Sequence, residues 1–357
     1  MDHQLRRAEV AGTLQTLEVD ALLVTRLPNV RYLTGFTGSN AQVLIASDTG
    51  VFFTDGRYTE QSRHEVPDLE RVTYLAAFGE PLAQACERLR VRRLGFEDHD
   101  LTVRGLGELR ERADGVEFVG AAEPVERARW VKDEDERSLL DEAQACTDRA
   151  FTEILDVLAL GMTERQVALE LEHAIRRAGA DDLSFESIVA FGENAAEPHH
   201  RPNHRALEEG DVITMDFGAL FGGYHADFTR TIAFGEPPAE LRKIHDIVRE
   251  AQQAGIDAAR AGTTGGEVDA AARKVVADAG YADRFPHGLG HGVGLEIHEG
   301  PNFARGGKDV LPEGAVMTVE PGIYVPGLGG VRIEDMVEVG EDGCRVLGTS
   351  IRELIEL

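Results

Sequence analysis

Short apolar runs alternate with amphipathic stretches over roughly the first 125 residues. Four runs rich in β-branched and aromatic residues predict strands: 21–25 (ALLVT), 41–46 (AQVLIA), 51–55 (VFFTD) and 93–97 (RLGFE). Two stretches with helical spacing predict helices: 4–17 (QLRRAEVAGTLQTL) and 80–90 (EPLAQACERLR). The alternation of strands and helices predicts a small α/β domain at the start of the chain.

The pattern changes across residues 125–136 (VERARWVKDEDE), where a long helical period begins. Apolar residues then recur three and four positions apart from Leu139 to Leu158, and Gly161 stands where such a helix would end. The chain has 357 residues, which is more than one hydrophobic core usually holds. We therefore expect two domains, residues 1–126 and 127–357.

The second domain contains two related halves. Residues 161–179 (GMTERQVALELEHAIRRAG) align with 262–280 (GTTGGEVDAAARKVVADAG), and the first segment has capping-box spacing that starts at Thr163. Residues 209–218 (EGDVITMDFG) align with 313–322 (EGAVMTVEPG). Two helix-then-strand matches in the same order predict an internal duplication, with a pseudo-two-fold axis and a site between the halves.

Each duplicated strand carries an acidic residue and continues into a predicted hairpin. In an antiparallel hairpin, residues that face each other are equidistant from the centre of the turn. Asp216 and Asp227 are equidistant from position 221.5, and Glu320 and Glu334 from Gly327, so each pair is predicted to face across its hairpin. Directly opposed like charges destabilise a strand pair, and two such pairs predict bound cations. Four carboxylates balance two divalent ions, and oxygen ligands favour Mn²⁺ or Mg²⁺ over a thiolate zinc site.

Histidines lie in two segments upstream of the acidic strands. They are His199, His200 and His204 in 196–204 (AEPHHRPNH), and His287, His291 and His298 in 285–300 (FPHGLGHGVGLEIHEG). Alternating glycines exclude a helix in the second segment and predict an extended strand that passes close to other backbone or to a ligand. In the first segment, a polar loop, we expect two of the three histidines to have no role in the site.

These motifs resemble those of the pita-bread metallopeptidases, in the aminopeptidase P and prolidase branch and of the short bacterial type. MDFG, HADFTRT, GHGVGLEIHE, TVEPGIY and GVRIEDM occur in the family's order, and RYLTGF and FFTDGRYTEQ are similar to its N-terminal domain. The resemblance covers nearly the whole chain. It implies an α/β (α+β) fold, in which a small creatinase-like N-terminal domain precedes a duplicated pita-bread catalytic domain.

The resemblance also implies roles for individual residues. The metal ligands would be Asp216, Asp227, His291, Glu320 and Glu334. They would hold two divalent ions, most commonly Mn²⁺ and sometimes Co²⁺ or Zn²⁺. The catalytic residues would be His199 and His298, which steady the tetrahedral intermediate, and Glu320, which accepts a proton. The residues on the substrate side would be His287, Tyr324 and Arg332.

The activity implied is hydrolysis of the bond between an N-terminal residue and a following proline in peptides. The alternative is prolidase, which cleaves only Xaa-Pro dipeptides and, in similar proteins, carries an arginine shortly after Ile-His-Glu. Here Asn302 stands at that position, which favours an aminopeptidase, although Arg305 lies three residues further on. Methionine aminopeptidase is a less favoured alternative, because it shares the metal ligands but normally lacks the N-terminal domain. Creatinase-type hydrolases and non-enzymatic pita-bread binding modules lack the full ligand set.

Composition narrows the expected partners. The 64 acidic and 37 basic residues give a net charge of −27, which argues against nucleic acid or an anionic membrane as partner. Cys86, Cys146 and Cys344 form no paired motif, which fits a reducing compartment. Because no signal segment or membrane-length apolar run is found, we expect a cytoplasmic protein.

The resemblance further implies a homodimer in which the N-terminal domain takes part. Asp55, Arg57 and Tyr58 would then either reach a neighbouring subunit's site or form a local salt bridge at the end of their strand. The sequence leaves both readings open.

Overall fold

The structure, a computed structural model, describes all 357 residues. The chain divides into two compact units, Met1–Arg129 and Trp130–Leu357. This division falls three residues after the expected boundary between 126 and 127. Each unit has its own β-sheets and its own buried apolar clusters. None of the helices combines the length and the apolar character that a membrane crossing requires.

The N-terminal unit is built on one six-stranded sheet of order β4-β3-β2-β1-β5-β6. Its strands are β1 (Ala21–Val24), β2 (Ala41–Ala46), β3 (Gly50–Asp55), β4 (Glu70–Tyr74), β5 (Arg93–Glu97) and β6 (Glu117–Ala121). Its helices are α1 (His3–Gly12), α2 (Leu27–Thr34), α3 (Thr59–Glu65), α4 (Gly79–Leu89), α5 (Val103–Arg112) and α6 (Pro124–Arg129). Strand β2 is antiparallel to both of its neighbours, and the outer strands pair in parallel.

All four strands predicted in this unit are present, because each buries apolar side chains in the centre of the sheet. The predicted helix over 4–17 ends at Gly12, and residues 13–18 form turns instead, consistent with the poor helix propensity of glycine. The sequence pattern did not predict strands β4 and β6, because they lie at the sheet edges, where fewer side chains are buried. Arg57 donates to both oxygens of Asp55, at 3.0 and 2.8 Å, which is the local salt bridge.

The second unit contains a long helix, two duplicated halves and several short strands. Its helices are α7 (Glu134–Val157), α8 (Glu164–Arg177), α9 (Ala239–Ala258) and α10 (Gly265–Asp278). The strands of its first half are β7 (Asp182–Leu183), β8 (Ile188–Phe191), β9 (Val212–Phe217), β10 (Ala219–Phe221), β11 (Tyr224–His225) and β12 (Phe228–Ala233). The later strands are β13 (Gly290–Gly292), β14 (Glu299–Phe303), β15 (Val316–Val319), β16 (Gly322–Val325), β17 (Gly329–Arg332), β18 (Asp335–Val339) and β19 (Cys344–Val346).

The predicted duplication is confirmed. Helices α8 and α10 each have 14 residues, and both begin with a capping box, at Thr163 and at Thr264. Each is followed by three antiparallel strands, in the order β12-β9-β8 in the first half and β13-β15-β18 in the second. The first half packs mainly on one apolar cluster and the second half mainly on another, which also takes in Ala190, Ala195 and Val212 of the first half. The two halves therefore repeat one helix-and-sheet unit.

The two acidic hairpins differ in how well the sequence predicted their register. In the first, Asp216 pairs with Thr229, so the expected direct opposition of Asp216 and Asp227 is wrong. The turn has two residues, Gly222 and Gly223, which both have positive φ and shift the register by two positions. An even shift keeps both carboxylates on the same face. In the second hairpin the pairing of Val319 with Asp335 preserves the predicted centre.

Candidate active site

Strand β13 carries His291 into the site along backbone that leaves no room for side chains. A Cβ atom at Gly288, Gly290 or Gly292 would lie less than 3.0 Å from a backbone oxygen. The segment is extended, as the alternating glycines predicted. The backbone N–H of His291 donates to Oγ1 of Thr318 at 3.0 Å, which fixes the strand against β15. The close approach thus sets where the imidazole emerges.

The structure brings the five predicted ligands to one cavity. Nε2 of His291 lies 3.5 Å from Oδ2 of Asp227 and 3.4 Å from Oε1 of Glu320. One ligand atom each from Asp227, His291 and Glu334 lies within 4.8 Å of the other two. Asp216 lines the same cavity. Four carboxylates at or beside strand ends and the imidazole of a glycine-rich strand therefore converge on a single group of oxygen and nitrogen atoms.

The electrostatics of this group fit divalent cations. Oδ1 of Asp216 and Oε1 of Glu334 are buried and accept no hydrogen bond. Burial, and then the charges of neighbouring carboxylates, raise the pKa of Asp227 and of Glu334 well above the ordinary range. Burial lowers the pKa of His291 to about 4, so its ring is neutral at pH 7 and can donate a lone pair. Buried carboxylates of this density need positive charge, and oxygen atoms with one imidazole suit a divalent metal.

Arg332 links the two hairpins behind the carboxylates and is itself buried. Its Nη2 donates to Oδ2 of Asp216 at 2.6 Å, and its Nε donates to Oγ1 of Thr229 at 3.1 Å. Its Nη1 donates to the hydroxyl of Tyr324 at 2.9 Å and to the carbonyl of Pro198 at 3.2 Å. Four of the five N–H groups of the guanidinium are therefore used in hydrogen bonds to protein oxygens.

Three further predicted residues line the cavity, namely His199, His287 and His298. Nε2 of His287 lies 2.9 Å from the hydroxyl of Tyr324, and burial lowers the pKa of His287 to about 4. The ring of His298 stands edge-on to that of His291, with centroids 4.4 Å apart. Tyr324 does not line the cavity itself, because it is buried between His287 and Arg332.

The two remaining histidines of the first segment lie outside the cavity. His200 is buried, with Nε2 2.8 Å from Oε2 of Glu164, and His204 lies beside Arg165. Of these three histidines only His199 reaches the site. Sequence reasoning missed Glu164, because a glutamate in the first turn of a helix looks like an ordinary charged residue there.

Sequence reasoning also missed the cavity walls. The cavity has a volume of about 660 Å³, and its apolar lining consists of Phe185, Ile188, Pro198, Ile297, Phe303 and Ala304. Periodicity does not distinguish such residues from core positions. Asn302 lines the cavity as well, whereas Arg305 does not and donates to the carbonyl of Phe285 at 3.2 Å.

Comparisons with known proteins agree with this geometry. The model described as "Metallopeptidase family M24" matches residues 138–341, and "Creatinase/Prolidase N-terminal domain" matches residues 6–131. An uncharacterized peptidase of Bacillus subtilis is 41% identical over 341 residues, which cover 96% of this chain and 97% of that protein.

Two solved structures extend the similarity to three dimensions. The Xaa-Pro dipeptidase from Bacillus anthracis superposes with a TM-score of 0.97 at 39% identity and covers 100% of both chains. The X-Pro aminopeptidase from Thermotoga maritima gives a TM-score of 0.90 at 36% identity, covering 97% of this chain and 100% of that one. The protein is thus a metal-dependent peptide hydrolase with a creatinase-like N-terminal domain and a pita-bread catalytic domain, and the chain belongs to metallopeptidase family M24.

Proposed function

We propose that this protein is an Xaa-Pro aminopeptidase, which releases the first residue from peptides that have proline in second position. The supporting observation is that the cavity offers no free cation. Arg332 is the only lysine or arginine among the lining residues, and its guanidinium is engaged by four protein oxygens. Arg305 donates to a carbonyl away from the cavity.

The absence of a free cation matters because dipeptides and longer peptides carry different chemical groups on the carboxyl side of proline. A dipeptide places its own C-terminal carboxylate there, and a carboxylate that is buried without a partner is strongly disfavoured. A longer peptide places a neutral amide there instead. Asn302, whose side chain both donates and accepts hydrogen bonds, suits an amide better than an anion.

Two divalent ions, with Mn²⁺ first and Co²⁺ or Zn²⁺ as alternatives, would be held by the ligands Asp216, Asp227, His291, Glu320 and Glu334. The unpartnered oxygens Oδ1 of Asp216 and Oε1 of Glu334 support this assignment, since both are buried acceptors with free lone pairs. When bound, such ions would acidify a water molecule and polarise the scissile carbonyl.

Side chains of the protein would stabilise the reacting carbonyl oxygen and transfer the proton. His199 and His298 would donate hydrogen bonds to the carbonyl oxygen, where negative charge develops as the bond is attacked. Glu320, held by a 3.1 Å hydrogen bond that Thr318 donates to its Oε1, would accept the proton of the attacking water. The same carboxylate would return the proton to the leaving nitrogen of proline.

The apolar walls would select proline. The bond before proline is a tertiary amide without an N–H, so a site that binds it cannot rely on an acceptor for that N–H. Phe303 and Ala304 offer apolar contact on the wall that also includes His287. His287 is held in place by Tyr324, and its ring packs edge-on against Phe285 with centroids 5.0 Å apart. We assign His287, Tyr324 and Arg332 to this side of the substrate.

The second candidate function is that of an Xaa-Pro dipeptidase. It is favoured by the similarity to the Bacillus anthracis structure, which carries that name and superposes over the whole chain. The two functions differ in what they require after proline, so substrate length separates them.

The test uses the full chain with Mn²⁺ and two substrates, Ala-Pro and Ala-Pro-Ala, in separate reactions followed by mass spectrometry. Release of alanine from the tripeptide with slow cleavage of the dipeptide supports the aminopeptidase. Cleavage of the dipeptide alone establishes the second candidate. A Glu320→Gln variant and a chelator-treated sample should both be inactive. If the untreated protein cleaves neither peptide, both functions are excluded.

A further inference from the structure

His199 is held by its neighbours on both sides in the sequence. The carbonyl of Pro198 accepts a hydrogen bond from Nη1 of Arg332 at 3.2 Å. On the other side His200 is 7% exposed, and its Nε2 lies 2.8 Å from Oε2 of Glu164. The imidazole of His199, by contrast, is exposed in the cavity. The position of this catalytic candidate thus depends on how well its neighbours are anchored.

Glu164 is the main anchor of this loop. It is fully buried in the first turn of α8, and each of its two carboxylate oxygens has two partners. The partners, at 2.8 to 2.9 Å, are the backbone N–H groups of Phe191 and Asn203, the side-chain amide of Asn194 and Nε2 of His200. All four belong to residues 191–203, the segment that contains His199. A buried carboxylate with four partners strongly constrains the path of the segment, because a lost partner leaves a polar group unsatisfied.

The second half of the duplication shows that this carboxylate is not needed to start the helix. Both α8 and α10 begin with a capping box, yet the residue that corresponds to Glu164 is Gly265. A Cβ atom there would collide with the carbonyl oxygen of Asn302, which lines the cavity. Helix α10 therefore touches its cavity wall directly through backbone, whereas α8 reaches its own wall through the side chain of Glu164.

His200 strengthens the anchor. Its Nδ1 lies 2.8 Å from Oε2 of Glu197, so both ring nitrogens face carboxylates. Burial opposes protonation, but the hydrogen bonds to Glu197 and Glu164 outweigh it and raise the pKa of His200. A protonated ring donates from both nitrogens, and such charge-assisted bonds are stronger than neutral ones.

We propose that Glu164 is a positioning residue which, through His200 and the 191–203 segment, holds His199 where it meets the substrate. This inference rests on the proposed function, because it takes His199 as the group that hydrogen-bonds the reacting carbonyl. It assigns no contact with substrate to Glu164 itself. The loss of Glu164 would displace the imidazole of His199 while the capping box of α8 and the carboxylate cluster stay in place.

A double-mutant cycle tests the proposal with full-length protein, Mn²⁺ and Ala-Pro-Ala. A displacement of about 1 Å can lower a rate about 100-fold. We therefore expect Glu164→Gln to lower kcat by about 10- to 100-fold with KM changed by less than about threefold. The double variant with His199→Ala should be no slower than His199→Ala alone. If Glu164→Gln multiplies the loss in the His199→Ala background, Glu164 acts by another route and the proposal is wrong.

The cycle also separates this proposal from the one on which it rests. If His199→Ala cleaves as fast as the unmodified protein, the role of His199 in the proposed function fails, and the positioning role fails with it. If His199→Ala is slow and the two losses multiply, only the positioning role fails. Gln166→Ala is the matched control, because Gln166 belongs to the same helix turn and its side chain hydrogen-bonds only Thr163, within the capping box. It should retain full activity.

A measurement without metal or substrate completes the test. Hydrogen exchange of the metal-free protein should be faster over residues 191–203 in Glu164→Gln, with α8 protected as before. Unchanged exchange over 191–203 would contradict the proposal. If Glu164→Gln does not fold, His200→Gln replaces it in both experiments, since it removes the imidazole between Glu164 and Glu197 and leaves the helix intact. The same outcomes then apply.

Discussion

Nη2 of Arg332 donates a 2.6 Å hydrogen bond to Oδ2 of Asp216, a contact that joins the second duplicated hairpin to the first. The other oxygen of Asp216 is buried and accepts no hydrogen bond. The arginine therefore holds this carboxylate in a fixed orientation with one oxygen left available. If Asp216 is a metal ligand, as proposed, this contact would orient it before the metal binds and would contribute part of the positive charge that the carboxylate cluster needs.

Replacement of this arginine should weaken metal binding. We expect Arg332→Lys to lower the affinity for Mn²⁺ by about 10- to 100-fold, because an ammonium cannot reproduce the planar fork that reaches Asp216, Thr229 and Tyr324. Calorimetric titration of metal-free protein measures the change. Arg305→Lys is the matched control, since Arg305 is exposed and should leave the affinity unaltered. Equal affinities for both variants would refute this role of Arg332.

Removal of one negative charge from the carboxylate cluster should not lower the Tm of the metal-free protein, but it should reduce the gain in Tm that Mn²⁺ produces. In the metal-free protein, Asp227→Asn relieves repulsion among buried carboxylates, so its Tm should equal or exceed that of the unmodified chain. Mn²⁺ at 100 times its Kd should raise the Tm of the unmodified chain by about 5–10 °C. The variant should gain much less. Thermal unfolding with chelator and with Mn²⁺ provides both values, and an equal gain in the two proteins would argue against Asp227 as a ligand.

A cation placed at Asn302 should change the preferred substrate length. Asn302 lines the cavity, and Asn302→Arg would supply the missing partner for a dipeptide's carboxylate. Because a charge-assisted hydrogen bond contributes about 1.5–3 kcal/mol, kcat/KM for Ala-Pro should rise about 10- to 100-fold relative to Ala-Pro-Ala. Parallel assays of both peptides measure the ratio. Arg305→Ala serves as control and should not alter it, whereas an unchanged ratio in Asn302→Arg would remove the structural basis for preferring the aminopeptidase.

His245, on α9, should make the second unit less stable in mild acid. Burial lowers its pKa to about 4, whereas the unfolded chain has a value of about 6.5. The unfolded state therefore binds the proton more tightly, and unfolding becomes easier as pH falls from about 6.5 towards 4. At about 1.4 kcal/mol per pH unit, the loss reaches about 2 kcal/mol at pH 5.

Urea unfolding of the metal-free protein at pH 7.5 and at pH 5.0 checks this dependence. In His245→Gln the difference in unfolding free energy between the two pH values should shrink by about 2 kcal/mol relative to the unmodified chain. His173→Gln changes an exposed histidine of the same unit and should leave the difference as it was. If His245→Gln and the unmodified chain lose stability equally, His245 is not the group responsible.

Local patterns predicted those elements whose causes are local. Strand β2 has the bounds that its apolar run indicated, and α8 starts at the capping box of Thr163. The predicted register of the first hairpin was wrong because a two-residue turn can form at Phe221-Gly222 or one position later, and only the backbone shows that Gly222 and Gly223 form it. The position of the turn depends on how the strands pair, which no short window of sequence contains.

The candidate site also combines features that local sequence predicts with features that depend on long-range packing. The residues that converge on the cavity were recognisable because acids recur at matching places in the duplicated hairpins and histidines precede them. Glu164 was not recognisable, because its partners lie 27 to 39 residues further along the chain. Tyr324 was named from its motif, but its place behind His287 depends on packing among three segments.

The crowded backbone around Gly288, Gly290 and Gly292 limits how this enzyme can diversify. Every second position of that strand is closed to side chains, so a saturation library across it should return variants only at the residues between the glycines. His291 is one of these and belongs to the carboxylate cluster, and the other, Leu289, is fully buried in the apolar core. New substrate preferences, whether natural or selected in the laboratory, must therefore arise on the facing walls of the cavity.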